Sequence, residues 1–438
     1  MSAAPRVLVA GGGLAGCEAA WQIARRGVGV DLWEMRPVVM SPAHHTGNLA
    51  ELVCSNSLGA DGLTNAAGVL KAKLRMLDSV LLLAADEARV PAGKALAVDR
   101  ERFAAAVSSR LTAEPLIAVY RGELRDLPTV PLAVLATGPL TGDSLASSIA
   151  RLAGQANLSF FDAVAPIVTT ESIDPQESYW ASRYGEGDAD YLNCPLDEVA
   201  YHALWQALVH GEQHPVHEFE RGRFFEGCLP VEEMARRGEH TLRFGPFKPV
   251  GLRDPRTGGR PFAVLQLRRE DRDGRLLNLV GCQTNLTFAA QRQAFRLVPA
   301  LHSAEFVRYG VMHRNTYLRG PALLTPTLAH RLRPGLFFAG QLTGVEGYVE
   351  SLAMGLIAGV NVARAALGLP EAIPPTDTVI GSLVAYVSGS ESPDFQPMNA
   401  NWGLLPPLPF RVRRQERAAC YARRALAGLA PYAELVAP

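Results

Sequence analysis

Two of the six cysteines lie in sequence that is too polar for a hydrophobic core. Cys54 stands in ELVCSNSLG and Cys228 in FFEGCLPVEEM, where hydroxyls, amides and carboxylates surround the thiols. A thiol in such a setting becomes a nucleophile when a base or a positive dipole lowers its pKa. Most free cysteines are structural, so packing is the alternative for both, and Cys17 on the first predicted helix is expected to pack against a sheet.

A pattern typical of nucleotide binding occupies residues 5–34. An apolar run, Val7 to Ala10, stops at GGGLAG, a helical pattern follows as far as Arg26, and a second apolar run ends at Glu34. This order predicts a dinucleotide site, with the pyrophosphate at the helix N-terminus and the acid on the ribose hydroxyls. The alternative is a glycine-rich turn in an ordinary sheet.

The glycines of this loop have separate expected roles. Gly11 permits a sharp turn, Gly13 lets backbone N–H groups approach the pyrophosphate, and Gly16 allows the helix to pack closely on the strand. The predicted cofactor contacts of the segment are Gly11, Gly12, Gly13, Leu14, Ala15, Gly16 and Glu34.

A second glycine-punctuated turn, GQLTGVEGYVES, follows an apolar run at Leu336 to Ala339. A helix that begins near Gly347 or Tyr348 would aim free N–H groups and the positive end of its dipole at the N1/O2 edge of a flavin. The predicted contacts with the ring system are Gly340, Gln341, Gly344, Gly347 and Tyr348. The two loops together predict FAD held at both ends, and a core helix with a glycine-rich entry is the alternative.

Three predicted strands, near residues 7, 133 and 337, would position these loops, and each leads into a glycine turn. Short strands, aromatic helices and charged turns separate the second strand from the third. The sequence therefore predicts an α/β fold, a doubly wound, Rossmann-like FAD-binding domain of the glutathione-reductase type with an inserted α+β domain. The FAD-binding domain is expected over 1–160 and 333–438, including a C-terminal helical tail, and the substrate domain over 161–332.

The composition narrows the class of protein. Lys+Arg and Asp+Glu both number 43 in 438 residues, so a nucleic acid would have to bind a local basic patch. The arginine-rich stretch 411–424 is a candidate for that patch, and a solvated helix face is the alternative. The cysteines form no CxxC pair, so no metal is predicted and reduced thiols in the cytoplasm are expected. No apolar run is expected to span a bilayer.

Other polar residues carry weaker signals. His44, His45 and His313 lie in polar segments, although lone histidines are most often ordinary surface or core groups. Asn285 and Gln291 could read the amide edge of a pterin or a pyrimidine, and hydrogen bonds within a turn are the equal alternative.

Seven motifs in a fixed order give the chain a resemblance to a known family. They are GGGLAG (11–16), CSNSLG (54–59), EGCLPVE around Cys228, FGPFKPVGLRDP (244–255), VGCQTNLTF (280–288), EFVRYGVMHRNTY (305–317) and FAGQLTGVEGYVES (338–351). Over nearly the whole chain they resemble the folate- and FAD-dependent tRNA uracil-C5 methyltransferases. The glycine fingerprint is shared with many flavoproteins, whereas CSNSLG followed by EGCLP is a much narrower signature.

The resemblance implies a reaction in which NAD(P)H reduces FAD and the carbon of 5,10-methylenetetrahydrofolate passes to C5 of the T-loop uridine of tRNA, forming ribothymidine (5-methyluridine). A methylene carbon needs two further electrons to become methyl, which accounts for a redox flavin in a one-carbon transferase. Uracil C5 becomes nucleophilic when a thiolate adds at C6. The family pattern assigns this addition to Cys228, and to Cys54 the removal of the C5 proton or assistance at the flavin.

The resemblance also implies contacts with the substrates. The target base must leave its stack and enter a wide cleft. Tyr348 is expected to stack near the flavin or the folate, and Lys248 and Arg268 to meet the folate tail or RNA phosphates. No membrane and no protein partner is expected.

Three alternatives remain open at this point. The first is an NAD(P)H-dependent FAD oxidoreductase acting on a small molecule, in which the cysteines are incidental. The second is a scaffold that binds RNA without turnover. The third is a flavoprotein that modifies wobble uridines, although those chains are usually longer and carry an added C-terminal helical domain.

Overall fold

The structure is a computed structural model that describes residues 5–41, 43–154, 158–163, 165–185, 188–214, 229–310, 312–391, 395–413 and 415–438, with the backbone alone for 158–163 and 312–316. The strands are β1 Arg6–Ala10, β2 Gly29–Glu34, β3 Ser57–Ala60, β4 Arg89–Val90, β5 Ala95–Val98, β6 Ile117–Arg121, β7 Ala133–Leu135, β8 Leu158–Ala163, β9 Ile167–Thr169, β10 Tyr179–Ala181, β11 Tyr191–Leu196, β12 Ala263–Arg269, β13 Leu276–Leu279, β14 Phe306–Arg308, β15 Met312–Tyr317 and β16 Leu336–Phe338. The helices are α1 Leu14–Ala24, α2 Ala66–Met76, α3 Val80–Glu87, α4 Arg100–Ala113, α5 Asp143–Ala153, α6 Glu198–His210, α7 Val231–Arg236, α8 Thr241–Phe244, α9 Phe288–Phe295, α10 Gly320–Leu323, α11 Tyr348–Ala366, α12 Val379–Gly389, α13 Arg417–Ala427 and α14 Ala430–Leu435.

A five-stranded parallel sheet, in the order β16-β7-β1-β2-β6, forms the centre of one unit of the molecule. Val134 of β7 lies between Val9 of β1 and Phe337 of β16, so the strands predicted near residues 7, 133 and 337 are neighbours. The predicted β1-α1-β2 unit and the α/β fold class are confirmed. Because the carboxyl ends of parallel strands meet at one edge of a sheet, the glycine turns after β1, β7 and β16 converge there.

A six-stranded antiparallel sheet, in the order β10-β11-β12-β13-β9-β14, forms the centre of a second unit. Helix α6 packs against β11, α7 and α9 on this sheet. Strand β8 leads into the antiparallel-sheet unit, β15 leads out of it, and the two pair with each other. A small antiparallel sheet of β3, β5 and β4 belongs to the chain between β2 and α4.

Two large hydrophobic cores correspond to these units. The core of the parallel-sheet unit draws on residues between 7 and 149 and between 317 and 436, and that of the antiparallel-sheet unit on residues between 168 and 304. Tyr317, Leu318, Leu324 and Leu328 pack in the first of these cores. The domain limits at 160 and 333 stay a prediction.

The pattern from about Val69 to Ala88 predicts a single helix, but the structure divides it into α2 and α3. Asp78 between them has a φ of +54°, in the left-handed region that ends a helix. Ser79 then caps α3, since its hydroxyl accepts the N–H of Leu82. A cap inside an apolar periodic pattern therefore overrides the periodicity.

Helix α11 corrects the expectation that no apolar run could span a bilayer. Its 19 residues are long and apolar enough to cross a membrane by length and composition. In the structure 83% of an 18-residue window of this helix is buried inside the protein, which is the burial of a core helix.

Helices α1 and α11 approach each other backbone to backbone. A Cβ added to Gly355 would lie 2.2 Å from the Ala15 oxygen, and one added to Gly359 would lie 2.7 Å from the Ala19 oxygen. Only hydrogen fits at these two positions of α11, and only small side chains face them on α1. The two helices begin at the same edge of the parallel sheet, so this crossing sets the distance between their N-termini.

We expect Gly355→Ala to destabilise the protein by about 1–3 kcal/mol, because the added methyl must push two helix backbones apart. Urea unfolding of the two proteins measures this difference. The matched control is Gly389→Ala at the end of α12, where a Cβ meets no atom within 4 Å and the substitution should be neutral or slightly stabilising. Equal unfolding midpoints for Gly355→Ala and the natural protein would contradict the account of the crossing.

Candidate functional site

A cavity of about 470 Å³ lies at the carboxyl edge of the parallel sheet, within the usual size range of ligand sites. The predicted site residues in its lining are Gly11, Gly13, Leu14, Ala15, Glu34, Cys54, Gly340, Gln341, Gly347 and Tyr348. Gly12, Gly16 and Gly344 stand outside that lining, and Cys228 lies outside the described residues. The structure therefore brings both glycine loops and the Cys54 thiol to one cavity.

The first glycine loop has the geometry that its sequence predicts. Gly11 has a φ of +103°, and a Cβ on Gly16 would lie 1.8 Å from the Gly11 oxygen, so the turn and the close packing are confirmed. A Cβ on Gly13 would meet no atom within 4 Å, which leaves open space at the N-terminus of α1. No side chain caps α1, so its first N–H groups and its dipole can bind an anion in the cavity.

Glu34 is buried at the end of β2 in a network of charges. Its Oε2 accepts the N–H of Gly12 over 2.7 Å, and its Oε1 accepts from the Nε of Arg36 over 2.7 Å. Arg36 also donates to Glu51 over 3.0 Å. Burial raises the pKa of Glu34, but the hydrogen bonds and charge of Arg36 outweigh it and hold the pKa below its usual value. The carboxylate is therefore ionised at neutral pH and fixed beside the loop.

Helix α11 begins at Tyr348, as predicted, after Gly347 with a φ of +110°. No side chain caps this helix either, so its positive end faces the cavity that Gly347 and Tyr348 line. Glu350 in its first turn also lines the cavity, and one of its oxygens accepts the N–H of Ala400 over 2.9 Å. Burial raises the pKa of Glu350. Sequence reasoning missed this carboxyl group, which follows the glycine turn by only three residues.

Two predicted ring contacts are engaged within the protein. Gln341 lines the cavity but donates its side-chain amide to Glu346 over 2.8 Å. Gly344 has a φ of +92°, and a Cβ there would lie 2.5 Å from the ring of Phe395. Gly344 therefore shapes the turn and stands outside the cavity lining, and its contact with the ring system stays a prediction.

Cys54 is half-buried and lies against the first residue of α11. Its Sγ is 2.9 Å from the hydroxyl oxygen of Tyr348, which also accepts the N–H groups of Cys54 and Ser55 over 2.8 and 3.2 Å. Burial raises the pKa of Tyr348 well above its usual value, so the phenol stays protonated beside the sulfur. The expectation that Cys17 packs is confirmed, since it is fully buried.

Arg268 of β12 holds the loop that carries Cys54. It donates to Asn56 Oδ1 over 2.8 Å and to Ser55 Oγ over 3.0 Å. Arg268 is 7% exposed and burial lowers its pKa. Its donors point into the protein, so it positions the thiol loop, and the expected contact with folate or RNA phosphates is wrong.

Two further arginines grip the same loop, and sequence reasoning missed both. Arg308 of β14 donates to the Val53 oxygen over 2.8 Å. Arg100 of α4 donates to the Leu52 oxygen over 2.9 Å and to Glu270 over 2.8 Å. Because each arginine lies far from its partner in the sequence, no local pattern indicates these contacts. The thiol loop is thus clamped between the two units of the molecule.

Asn285 and Gln291 have turn roles instead of ligand roles. Gln291 is fully buried, and its amide donates to the Leu286 oxygen and exchanges two hydrogen bonds with Gly310. Asn285 donates its side-chain amide to the oxygen of His214 over 3.1 Å. The amide of Gln291 is therefore not available to read a pterin or a pyrimidine, and the amino group of Asn285 is engaged within the protein.

The remaining sequence candidates lie at separate places in the molecule. Lys248 is exposed, and so are Arg417 and Arg423 of α13, which covers part of the predicted basic stretch. His44 lines the cavity near the Glu34 network, where its Nδ1 lies 2.5 Å from Ser41 Oγ. The side chain of His313 lies outside the described part of the chain.

The chain is similar to proteins of known family over almost its whole length. Residues 6–370 match the family described as Glucose inhibited division protein A. The methylenetetrahydrofolate–tRNA-(uracil-5-)-methyltransferase TrmFO of Desulforudis audaxviator is 58% identical over 97% of this chain and 98% of its own length. The protein of the same name from Lactiplantibacillus plantarum is 52% identical over 99% and 98%.

The fold is similar to that of a solved structure. Aquifex aeolicus GidA, in its form II crystal, superposes with a TM-score of 0.72 at 17% sequence identity. The superposition covers 99% of this chain and 74% of that one, which shows a common fold.

We expect Tyr348→Phe to speed alkylation of Cys54 by iodoacetamide roughly 2- to 12-fold, because the loop loses hydrogen bonds to the hydroxyl that each contribute about 0.5–1.5 kcal/mol. Peptide mass spectrometry measures the rate, and Cys420 on α13 serves as the internal standard in the same sample. An unchanged ratio of the two rates would show that the hydroxyl does not hold the thiol.

Proposed function

Because this chain belongs to the TrmFO family of methylenetetrahydrofolate–tRNA-(uracil-5-)-methyltransferases, we propose that it transfers the one-carbon unit of 5,10-methylenetetrahydrofolate to C5 of a tRNA uridine. The observation that carries the proposal is the meeting of two glycine loops and a thiol in one cavity. We further propose that NAD(P)H reduces the FAD, that the uridine lies in the T-loop of the tRNA, and that the protein acts in the cytoplasm.

The residues of the cavity fit FAD. Open space beside Gly13 and the uncapped N-terminus of α1 suit a pyrophosphate, and the ionised Glu34 suits ribose hydroxyls. The uncapped start of α11 at Tyr348 suits the ring system. When bound and reduced by NAD(P)H, FAD would supply the two electrons by which a methylene-level carbon becomes methyl.

The thiols would act on the uracil. A thiolate that adds at C6 makes C5 nucleophilic, and we assign this step to Cys228 from its motif. Cys54 would remove the C5 proton after the carbon has been transferred. The 2.9 Å approach of Tyr348 supports this role, because it holds the sulfur at the wall of the cavity.

Binding of tRNA would depend on local charge, because the chain as a whole carries none in excess. Lys248 and the exposed arginines of α13 are the proposed phosphate contacts. Their affinity for tRNA would fall steeply with salt. The target uridine would have to leave its stack before C5 and C6 could reach the thiols.

We expect the purified protein, given NAD(P)H and methylenetetrahydrofolate labelled in its one-carbon unit, to place label on a uridine of unmodified tRNA. Nuclease digestion followed by mass spectrometry finds the labelled nucleoside and its position. Cys228→Ala and Cys54→Ala should each abolish labelling while the 450 nm absorbance of FAD persists, because each removes a thiol that the chemistry needs.

Cys420→Ala is the control for these variants, since this half-buried cysteine of α13 belongs to neither motif. Consumption of NAD(P)H without label in tRNA would favour the small-molecule oxidoreductase. Full activity of Cys228→Ala would remove it as the nucleophile.

We expect Glu34→Gln to weaken FAD binding at least about tenfold, because hydrogen bonds to an ionised carboxylate contribute about 1.5–3 kcal/mol and the amide has no charge. Fluorescence titration of the FAD-free protein with FAD measures the dissociation constant. Glu87→Gln, at a half-exposed surface ion pair with Arg110, is the control and should bind FAD as the natural protein does. Equal affinity of Glu34→Gln would exclude Glu34 as a ribose contact.

A further inference from the structure

Three aromatic rings of the antiparallel-sheet unit form a parallel stack. Tyr309 lies between Phe288 and Phe306, with centroid separations of 4.8 and 5.4 Å and interplanar angles of 16° and 10°. At its inner end Phe306 meets the fully buried ring of Phe295 at 6.5 Å and a tilt of 37°. Parallel rings at this spacing are the arrangement in which nucleobases also stack on aromatic side chains.

The outer end of the stack is exposed. Phe288, the first residue of α9, keeps 45% of its surface accessible. The ring of His214 stands edge-on to it at 5.6 Å and 77°. A phenylalanine that served packing alone would lower the free energy of folding more if it were buried. An exposed ring at the end of a parallel stack offers the next position of the stack to another flat ring.

Hydrogen bonds hold the stack in place. The buried amide of Gln291 donates to the Gly310 oxygen over 2.8 Å and accepts the Gly310 N–H over 2.7 Å, which ties the chain beside Tyr309 to α9. Arg292, an exposed residue of α9, donates to the Tyr309 hydroxyl over 2.7 and 3.0 Å. A fixed aromatic surface with an arginine at its edge has the composition of sites that bind single-stranded RNA.

Arg308 connects the strand that carries Phe306 of the stack to the cavity that holds the Cys54 thiol. Arg308, the neighbour of Tyr309 in the chain, donates to the oxygen of Val53 over 2.8 Å. Val53 lines the cavity together with Cys54. Arg308 therefore links the strand of the aromatic stack to the wall of the candidate site.

We propose that Phe288 and Tyr309 form a stacking platform for a nucleobase adjacent to the uridine that enters the cavity. This inference rests on the proposed tRNA methylation and adds a contact that such a reaction needs. When a base leaves its stack, its neighbour loses a stacking partner, and the exposed ring of Phe288 replaces that partner.

The test uses the full chain with FAD bound and an unmodified tRNA transcript. Phe288→Leu keeps an apolar side chain but removes the ring, and should raise the KM for tRNA roughly 5- to 150-fold with little change in kcat. Phe288→Tyr restores a ring and should restore the KM. Phe244→Leu, at an 82% exposed phenylalanine of the same unit, is the matched control and should leave the KM unchanged.

A binding measurement separates this inference from the proposed function. A T-arm hairpin with 2-aminopurine beside the target uridine should lose fluorescence on binding the natural protein and Phe288→Tyr, and should lose less with Phe288→Leu. This quenching tests the platform even if the natural protein does not methylate tRNA. Absence of methylation would contradict the proposed function but not the platform. Equal KM and equal quenching for Phe288→Leu and the natural protein would overturn the platform, as would a change confined to the KM for methylenetetrahydrofolate.

Discussion

The contact on which the site depends most is the backbone-to-backbone crossing of α1 and α11. Glycines of α11 meet alanines of α1 with no room for a further methyl, so the helices cannot slide or separate without loss of contact. Each helix begins at the carboxyl edge of the parallel sheet without a side-chain cap. The crossing therefore fixes the positive ends of both helices beside one cavity. Because glycines of α11 carry only hydrogen at the crossing, the distance between the helix axes does not depend on flexible side chains.

The position of the thiol depends on a second kind of interaction. The loop around Cys54 has few apolar groups to bury, so its backbone is held by donors from outside. Arg268 and Arg308 reach it from the antiparallel-sheet unit and Arg100 from the parallel-sheet unit. Tyr348 adds a hydroxyl from the start of α11. Both units must therefore be in place before the sulfur has a defined position, which couples the arrangement of the two cores to the chemistry.

Local patterns predicted the parts of the molecule in which cause and effect are neighbours in sequence. The β1-α1-β2 unit, the turn at Gly11, the packing at Gly16 and the start of α11 all follow from residues within a few positions of each other. Arg268 was misread because an arginine looks the same whether it faces a phosphate or, as here, Asn56 more than 200 positions away. Contacts between residues so far apart in the sequence produce no periodic pattern. The break at Asp78 shows that a helix cap can also end a helix within an apolar periodic pattern.

The connectivity of the parallel sheet has a consequence for synthesis on the ribosome. Helix α1 is made early, but its partner α11 begins only at residue 348, and strand β16 begins at residue 336. At a translation rate of about 5–20 residues per second, on the order of 15–70 s pass between the synthesis of α1 and that of α11, its packing partner. The first glycine loop is translated long before the helix that completes its cavity. A nascent chain must therefore shield an apolar strand and an apolar helix face while most of the protein is still being made.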